Sequence, residues 1–193
     1  SAIGHGCNTP CIEVADERTG ETLVFDAGSG IVGLGQHLAG PPRDLPIVLT
    51  HYHWDHIQGL PFLAQLYAPG WKPRIFAPSF ETSSAGLVST IFQSPFFPVP
   101  YERLPNTPVI EMLNAGDLKI GSFELSSVPL NHPGGARAYR VRGTTGDLVY
   151  ANDGVNVPNN ACEPIVNDVN GKIAFVDRGG CAFVVKGKNG QEA

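Results

Sequence analysis

The sequence predicts an α/β fold, in which strands in the first part of the chain alternate with helices. Two strand-like runs, Thr22–Phe25 and Pro46–Thr50, are each followed by a turn and then by a segment with helical character. In the second half, short apolar runs follow one another with glycine-containing turns between them, which is typical of antiparallel strands. The chain has 193 residues, 42% hydrophobic and 16% charged, so it can bury a substantial core in one domain or in one domain plus a fragment.

The chain opens with a predicted hairpin. Thr9–Val14 has strand character, the polar segment Ala15–Glu21 turns the chain, and Thr22–Phe25 returns as the partner strand. The glycine-rich loop Asp26–Gly30 then leads into the helical spacing of Ile31–Leu38. A glycine loop between a strand and a helix can cradle a phosphate, but this one lacks a Walker lysine and a full dinucleotide fingerprint, so that indication is weak.

Three histidines and an aspartate lie directly after the next strand, in the run His51-Tyr52-His53-Trp54-Asp55-His56. Side chains two residues apart in extended chain point to the same side, so His51 and His53 can bind one ion together. Asp55 and His56 follow at the turn and can offer two more ligands to a neighbouring ion. Imidazole plus carboxylate suits zinc and similar metals. The alternative is a histidine-rich surface loop or hydrogen-bonded core histidines, and the number and spacing of the ligands favour the metal.

The remaining elements are predicted from shorter patterns. Gly59–Tyr67 is predicted to be the helix after the histidine run, and Phe80–Leu104 is the least regular segment. Its aromatic residues are candidates either for shaping access to a site or for covering the core. The other predicted strands are Arg74–Ala77, then an antiparallel run of Val109–Met112, Asp117–Ile120 and Phe123–Val128, and a hairpin of Ala138–Val141 with Asp147–Tyr150.

The run His51–His56 resembles the HxHxDH signature of the metallo-β-lactamase fold superfamily. Three further stretches, Leu23–Gly30, Leu130–Gly135 and Leu148–Gly154, resemble motifs of that family and occur in the same order over about the first four-fifths of the chain. The resemblance implies a metallo-β-lactamase-type αββα sandwich, here lacking its usual C-terminal part and carrying a β-rich C-terminal segment instead.

The resemblance also implies a binuclear metal site. His132 would complete a three-histidine set with His51 and His53, and Asp153 would bridge two divalent ions, with Zn²⁺ expected and Mn²⁺ or Fe²⁺ as alternatives. Asp26 would support the metal loop without binding metal, or would cap the following helix. The predicted ligands are His51, His53, Asp55, His56, His132 and Asp153, with Asp55 also in a catalytic role.

The sequence departs from the family pattern after this point. It has no histidine beyond His132, whereas a complete member has a late histidine in the second metal site. Either Asp55, His56 and Asp153 hold the second ion with water, or the C-terminal half is absent.

The last part of the chain carries a different resemblance. We divide the sequence into a metallo-β-lactamase-like domain, residues 1–154, and a segment, residues 155–193, that resembles the first half of a protease-associated domain. It contains the predicted strand Ile173–Val176, and in such modules the cysteines matching Cys162 and Cys181 can pair. The alternatives are a fusion, a chimeric gene model, or strands that close the main sheet.

The two resemblances predict different cellular compartments for the protein. The metallo-hydrolase part indicates the cytoplasm, whereas the protease-associated resemblance would suit a secreted or periplasmic protein. Cys7 and Cys11 are too far apart for a CxxC motif and are predicted to be small buried residues.

The implied reaction is metal-assisted hydrolysis of a phosphodiester bond, with a hydroxide that bridges the two ions as nucleophile. The expected partner is a small-molecule or nucleotide-type phosphodiester. A net charge of −5 argues against a general nucleic-acid binder, although nucleic acid is left open. No membrane partner is expected, because no apolar run approaches the ~20 residues that span a bilayer. The alternatives are a lactone or thioester hydrolase of the same fold, and a catalytically weak metal-binding scaffold whose C-terminal segment contacts other proteins.

Overall fold

The computed structural model describes residues 7–38, 40–80, 84–114, 116–142, 147–151 and 173–176. The chain divides into two compact units, one of Ser1–Ala15 with Thr22–Leu113 and the other of Asp16–Glu21 with Asn114–Ala193. The strands that the structure describes form two five-stranded sheets. The predicted α/β class is confirmed.

The first sheet has the strand order β1-β2-β3-β4-β5 and is parallel from β2 to β5. Parallel neighbours need a crossover, and helices or irregular segments supply it between successive strands. The elements are β1 (Ile12–Asp16), β2 (Glu21–Phe25), α1 (Gly30–His37), β3 (Asp44–Val48), α2 (Trp54–Ile57), β4 (Lys72–Pro78), α3 (Ser84–Thr90) and β5 (Val109–Leu113).

The predicted N-terminal hairpin is confirmed. β1 and β2 are neighbours in the sheet, and the turn between them closes with a hydrogen bond of 2.7 Å from the Gly20 N–H to the Asp16 carbonyl. Gly20 has φ +73°, a value that only glycine adopts without a steric penalty. The helix predicted over Ile31–Leu38 is likewise present as α1.

The single helix predicted over Gly59–Tyr67 is wrong. The chain there makes two 3₁₀ turns, Leu60–Phe62 and Ala64–Leu66, with Leu63 extended between them at φ −68° and ψ 116°. Leu60, Leu63 and Leu66 are completely buried. The extended Leu63 divides the run into two short turns, and each turn places one leucine in the core, Leu60 in the first and Leu66 in the second.

The direction of β5 also differs from the prediction. Val109–Met112 was expected in an antiparallel run with the strands that follow, but β5 pairs in parallel with β4, with Ile110 opposite Ile75. Alternation of apolar residues is the same in parallel and antiparallel strands. The long connection between β4 and β5, which contains α3, permits the parallel crossover.

The aromatic residues of this connection mostly cover the core. Phe92 is completely buried, and the rings of Phe97 and Tyr101 pack edge-on against it at 5.7 and 5.5 Å between centroids. Phe96 is the exception, because 78% of it is exposed. The interpretation of this segment as a cover for the core therefore holds for Phe92, Phe97 and Tyr101.

The second unit contains a sheet of order β10-β9-β8-β7-β6. Strands β6 to β9 are antiparallel, as predicted for β6 with β7 and for β8 with β9, and β10 is parallel to β9 with Phe175 opposite Tyr150. Ile173–Val176 thus extends the same sheet, which is the arrangement expected if this segment closes the sheet. The strands are β6 (Asp117–Ile120), β7 (Phe123–Leu130), β8 (Ala136–Arg142), β9 (Asp147–Ala151) and β10 (Ile173–Val176).

The two cysteines at the start of the chain differ in exposure. Cys7 is exposed, so its predicted burial is wrong, whereas Cys11 is partly buried and packs against the core. Burial, together with the nearby carboxylates of Asp26 and Glu13, raises the pKa of the Cys11 thiol to about 12. Cys162 and Cys181 lie outside the described residues. None of the helices in the described part of the chain is long and apolar enough to cross a membrane.

Candidate metal centre

The histidine run begins where two neighbouring parallel strands end. Asp26 directly follows β2, and Thr50 and His51 follow β3. Because the carboxyl ends of parallel strands meet at one edge of a sheet, residues far apart in sequence become neighbours there. The Asp26 N–H donates to the Val48 carbonyl at 2.9 Å, and this bond helps to hold Asp26 at φ +58°, a value that is uncommon for a residue other than glycine.

The carboxylate of Asp26 is the centre of a buried hydrogen-bond network. Its Oδ1 accepts from the Thr50 backbone N–H at 2.8 Å, and the Thr50 hydroxyl donates to Oδ1 and Oδ2 at 3.0 and 2.9 Å. Both residues are completely buried. The N-cap position of α1 is occupied by Ser29, so these contacts favour the interpretation that Asp26 supports the histidine loop over the interpretation that it caps the helix.

This network fixes the orientation of two imidazole rings. His56 Nδ1 lies 2.8 Å from Asp26 Oδ2, and a carboxylate can only accept, so Nδ1 carries the proton. His51 Nδ1 lies 3.0 Å from the Thr50 Oγ1, whose own hydrogen is directed to Asp26, so His51 Nδ1 is also the donor. These tautomers are inferred from the network. In each neutral ring Nε2 then carries the lone pair that a metal ion requires.

The imidazole rings of the histidine loop lie close together, and two of the three are shielded from water while His53 is exposed. The His51 ring centroid is 4.6 Å from that of His53 and 4.3 Å from that of His56, and His51 and His56 are 2% and 3% exposed. His51 and His53 each offer one ring nitrogen, and these two atoms lie within 4.8 Å of each other. Both are imidazole donors of the kind that holds a zinc ion.

Asp55 and His56 lie close to each other in α2. The Asp55 side chain is 55% exposed, and its Oδ2 is 3.4 Å from His56 Nε2. Two ligands of one tetrahedral zinc ion lie roughly 3.3 Å apart when the bonds are about 2.0–2.1 Å long. The spacing of these two atoms therefore suits ligands of a shared ion.

The glycine-rich loop after β2 packs against the histidine loop. The Ala27 N–H donates to the His56 carbonyl at 2.7 Å, and the Gly59 N–H donates to the Ala27 carbonyl at 2.9 Å. A Cβ atom on Gly28 would lie 2.3 Å from the Asp55 carbonyl, and one on Gly59 would lie 2.1 Å from the Gly28 carbonyl. These glycines allow the backbone of the loop after β2 to approach the backbone of the histidine loop closely. Close packing, rather than the phosphate binding that the sequence indicated only weakly, is therefore the role of this loop in the structure.

His132 lies in the second unit. His132 occupies the loop between β7 and β8, where its N–H donates to the Leu130 carbonyl at 3.1 Å and its carbonyl accepts from the Gly135 N–H at 2.8 Å. Gly134 and Gly135 have φ +82° and +83°, which explains why two glycines follow this histidine. Asp153 lies outside the described residues.

Sequence reasoning missed Thr50 as a member of this site. Its hydroxyl connects the Asp26 carboxylate to the His51 ring, and that connection spans residues from two strands. The one indication in the sequence was a hydroxyl-bearing residue at the end of an apolar strand, directly before the first histidine.

The model of the metallo-beta-lactamase superfamily matches residues 6–179 of this sequence. The chain belongs to the metallo-beta-lactamase superfamily. Among curated proteins it is similar to ribonuclease Z of Thermococcus kodakarensis, with 29% identity over 123 residues, which are 61% of this chain and 37% of that enzyme.

Solved structures agree on the fold. A diphosphatase of the PhnP family superposes with a TM-score of 0.57 at 18% identity, over 78% of this chain and 54% of the other. The metallo-beta-lactamase fold protein YhfI of Bacillus subtilis gives 0.56 at 18% identity, over 76% and 55%. The chain thus spans about half the length of these superfamily structures.

Proposed function

We propose that this protein is a metal-dependent hydrolase that cleaves phosphodiester bonds. The observation that carries the proposal is the group of His51, His53 and His56 in the first unit, where the His51 ring centroid lies 4.6 Å from that of His53 and 4.3 Å from that of His56. Imidazole nitrogens are typical ligands of zinc. A structural role for buried histidines would not need a completely buried aspartate to orient two of the neighbouring rings.

The donor chemistry fits two divalent ions, zinc by preference. His51, His53 and His132 would hold one ion, and Asp55, His56 and Asp153 would hold the second. In support, the inferred tautomers of His51 and His56 leave the metal-binding lone pair on Nε2. The two ions would supply Lewis acidity towards the scissile group and would lower the pKa of the attacking water.

The side chains of the chain itself have separate tasks in this scheme. Asp26 and Thr50 hold the rings of His51 and His56, so that little reorganisation is needed when the substrate arrives. Asp55 is the exposed carboxylate of the set, and we assign it the task of orienting the attacking water and accepting its proton.

The substrate class rests on a likeness to one relative. The name ribonuclease Z describes an enzyme that acts on RNA, and the present chain is 29% identical to that enzyme over 123 residues. A phosphodiester of small-molecule or nucleotide type is therefore the proposed substrate. Lactone or thioester hydrolysis remains the alternative. The protease-associated resemblance of residues 155–193 and the cytoplasmic location both stay predictions.

The test combines metal content with turnover. We expect about two zinc, manganese or iron ions per chain by inductively coupled plasma mass spectrometry after purification without chelator. We also expect hydrolysis of bis(p-nitrophenyl) phosphate that exceeds hydrolysis of a homoserine lactone and of an acyl thioester. Asp55→Asn should lower kcat by at least about 10²-fold, because it removes a proton acceptor. Glu102→Gln, which neutralises an exposed carboxylate in the same unit, is the matched control.

Three outcomes would contradict the proposal. Purified protein that binds essentially no metal, even after reconstitution, would exclude the metal site. Metal binding without turnover of any of the three substrate classes would favour the catalytically weak scaffold. Preferential turnover of the lactone or the thioester would retain the hydrolase and exclude the phosphodiesterase.

A further inference from the structure

Arg137, the second residue of β8, is a buried cation in the second unit. It is only 8% exposed. Its Nη1 donates to the Ser127 hydroxyl at 3.0 Å, and among the described residues its buried Nε has no hydrogen-bond partner. The described contacts of this guanidinium therefore include no carboxylate.

The other two arginines of β8 show the usual arrangement. Arg140 donates to Asp147 from both Nε and Nη2, and Arg142 lies 3.7 Å from Glu124. Their side chains are 47% and 58% exposed, so the guanidinium N–H groups that form no ion pair can be solvated by water. Arg137 differs from both because its side chain is shielded from solvent and because it has no acidic partner among the described residues.

A cation in this position needs an anion. An arginine stays protonated in folded proteins, so the guanidinium cannot escape the penalty of burial by losing its proton. An uncompensated buried charge is strongly destabilising, and a bound anion would compensate this one. Arg137 therefore indicates a site for a negatively charged group.

The strand register places this cation beside the loop that carries His132. Arg137 is opposite Pro129 in the pairing of β8 with β7, and the next pair, Leu130 with Ala136, is the last before the loop. Alternate residues of a strand share a face, so Arg137 lies on the face of Tyr139 and Val141, which are both 2% exposed. The charge is thus on the buried face of the sheet, one residue pair from the His132 loop.

We propose that Arg137 binds the phosphoryl group of the substrate. The proposal rests on the proposed function, because it takes the His132 loop as part of the reaction site. A guanidinium presents its N–H groups as a planar fork that matches two oxygens of a phosphate, and Ser127 holds the plane through Nη1. Arg137 is then a residue that selects anionic phosphodiesters over neutral esters and lactones.

The experiment measures binding and stability separately from turnover. Inorganic phosphate is titrated into wild-type protein, Arg137→Met, Arg137→Lys and the control Arg142→Met by isothermal calorimetry in a chloride buffer. We expect Arg137→Met to weaken phosphate binding at least about tenfold, because it removes a charge-assisted hydrogen bond. Arg137→Lys should be intermediate, since it keeps the charge and loses the fork. Arg142→Met should leave the affinity unchanged.

Thermal unfolding tests whether the charge of Arg137 is compensated within the protein or only by a bound anion. Without phosphate, Arg137→Met should raise the unfolding midpoint by about 2 °C or more, because it removes an uncompensated buried charge. Phosphate should raise the midpoint of the wild-type protein and not that of Arg137→Met. In turnover, Arg137→Met should raise KM for bis(p-nitrophenyl) phosphate and leave KM for p-nitrophenyl acetate unchanged.

Either of two results would overturn the proposal. A lower midpoint or a failure to fold in Arg137→Met would show that the guanidinium is paired within the protein. Equal phosphate affinity in wild-type protein, Arg137→Met and Arg137→Lys would show that it binds no phosphoryl group. If the wild-type protein hydrolyses no phosphodiester, the proposed function fails, and the calorimetric comparison still decides the role of Arg137.

Discussion

Replacing Thr50 by valine removes one hydroxyl from the candidate metal centre and alters no predicted ligand. Valine has nearly the shape of threonine, so the end of β3 should keep its backbone path. Two buried contacts disappear with the hydroxyl, the donation to Asp26 and the acceptance from His51 Nδ1 at 3.0 Å. The His51 ring is 2% exposed, so water cannot replace the lost acceptor.

The expected magnitude follows from these contacts. Each buried polar group left without its partner costs about 1–3 kcal/mol, and Asp26 keeps its bond from the Thr50 backbone N–H. We therefore expect Thr50→Val to lower the free energy of unfolding of the metal-free protein by about 1–3 kcal/mol. Loss of a group that orients a metal-binding histidine should also reduce metal affinity about 10- to 100-fold.

The assay is a competition titration of Zn²⁺ against a chromophoric chelator, with urea unfolding of the metal-free protein in parallel. Thr50→Ser is the matched control, because it keeps the hydroxyl and removes only the methyl group. It should bind Zn²⁺ within about threefold of the wild-type affinity, which lies well below the loss expected for valine. Wild-type affinity in Thr50→Val would refute the relay from Asp26 to His51. Equal losses in both variants would assign the effect to the methyl group.

Three further predictions concern Asp26, the phenylalanines between β4 and β5, and the two cysteines at the start of the chain. Asp26→Asn keeps the acceptor for the Thr50 N–H but presents an amide donor to His56 Nδ1. The proton of the His56 ring should therefore move to Nε2, which then has no lone pair for a metal ion. Metal analysis should show the loss of an ion, while the circular dichroism of the protein stays unchanged. Phe92→Ala should lower the free energy of unfolding in urea by about 3–5 kcal/mol, while Phe96→Ala, at an exposed ring, should change it by less than about 0.5 kcal/mol. Peptide mapping after iodoacetamide at pH 8 should show that Cys7 is labelled faster than Cys11, whose pKa is raised to about 12. The pKa of the Cys11 thiol is higher in the folded protein than in the unfolded protein. Its contribution to stability is therefore fully present below pH ~9 and is lost as the pH rises towards 12. Equal labelling rates, an intact metal content in Asp26→Asn, or equal effects of the two phenylalanine substitutions would contradict the corresponding argument.

The sequence by itself determined the features that depend on neighbouring residues. The spacing in His51-Tyr52-His53 identified paired side chains at a strand end, and Gly20 marked the turn of a hairpin that the structure contains. Short apolar runs separated by glycine-containing turns located β6 to β9 and predicted the antiparallel pairing of β6 with β7 and of β8 with β9. Each of these follows from backbone periodicity and turn chemistry within about ten residues, which a single sequence displays directly.

Features that depend on distant residues were decided by the tertiary structure. Alternation could not give the direction of β5, and the apolar run after the histidines did not distinguish an α-helix from two 3₁₀ turns. The link from Asp26 through Thr50 to His51 joins residues of two different strands. The burial of Arg137 appears only once the neighbouring strand and the register are known. In all four cases the deciding free energy comes from burial and hydrogen bonding across the fold, and those contacts leave no local periodicity in the sequence.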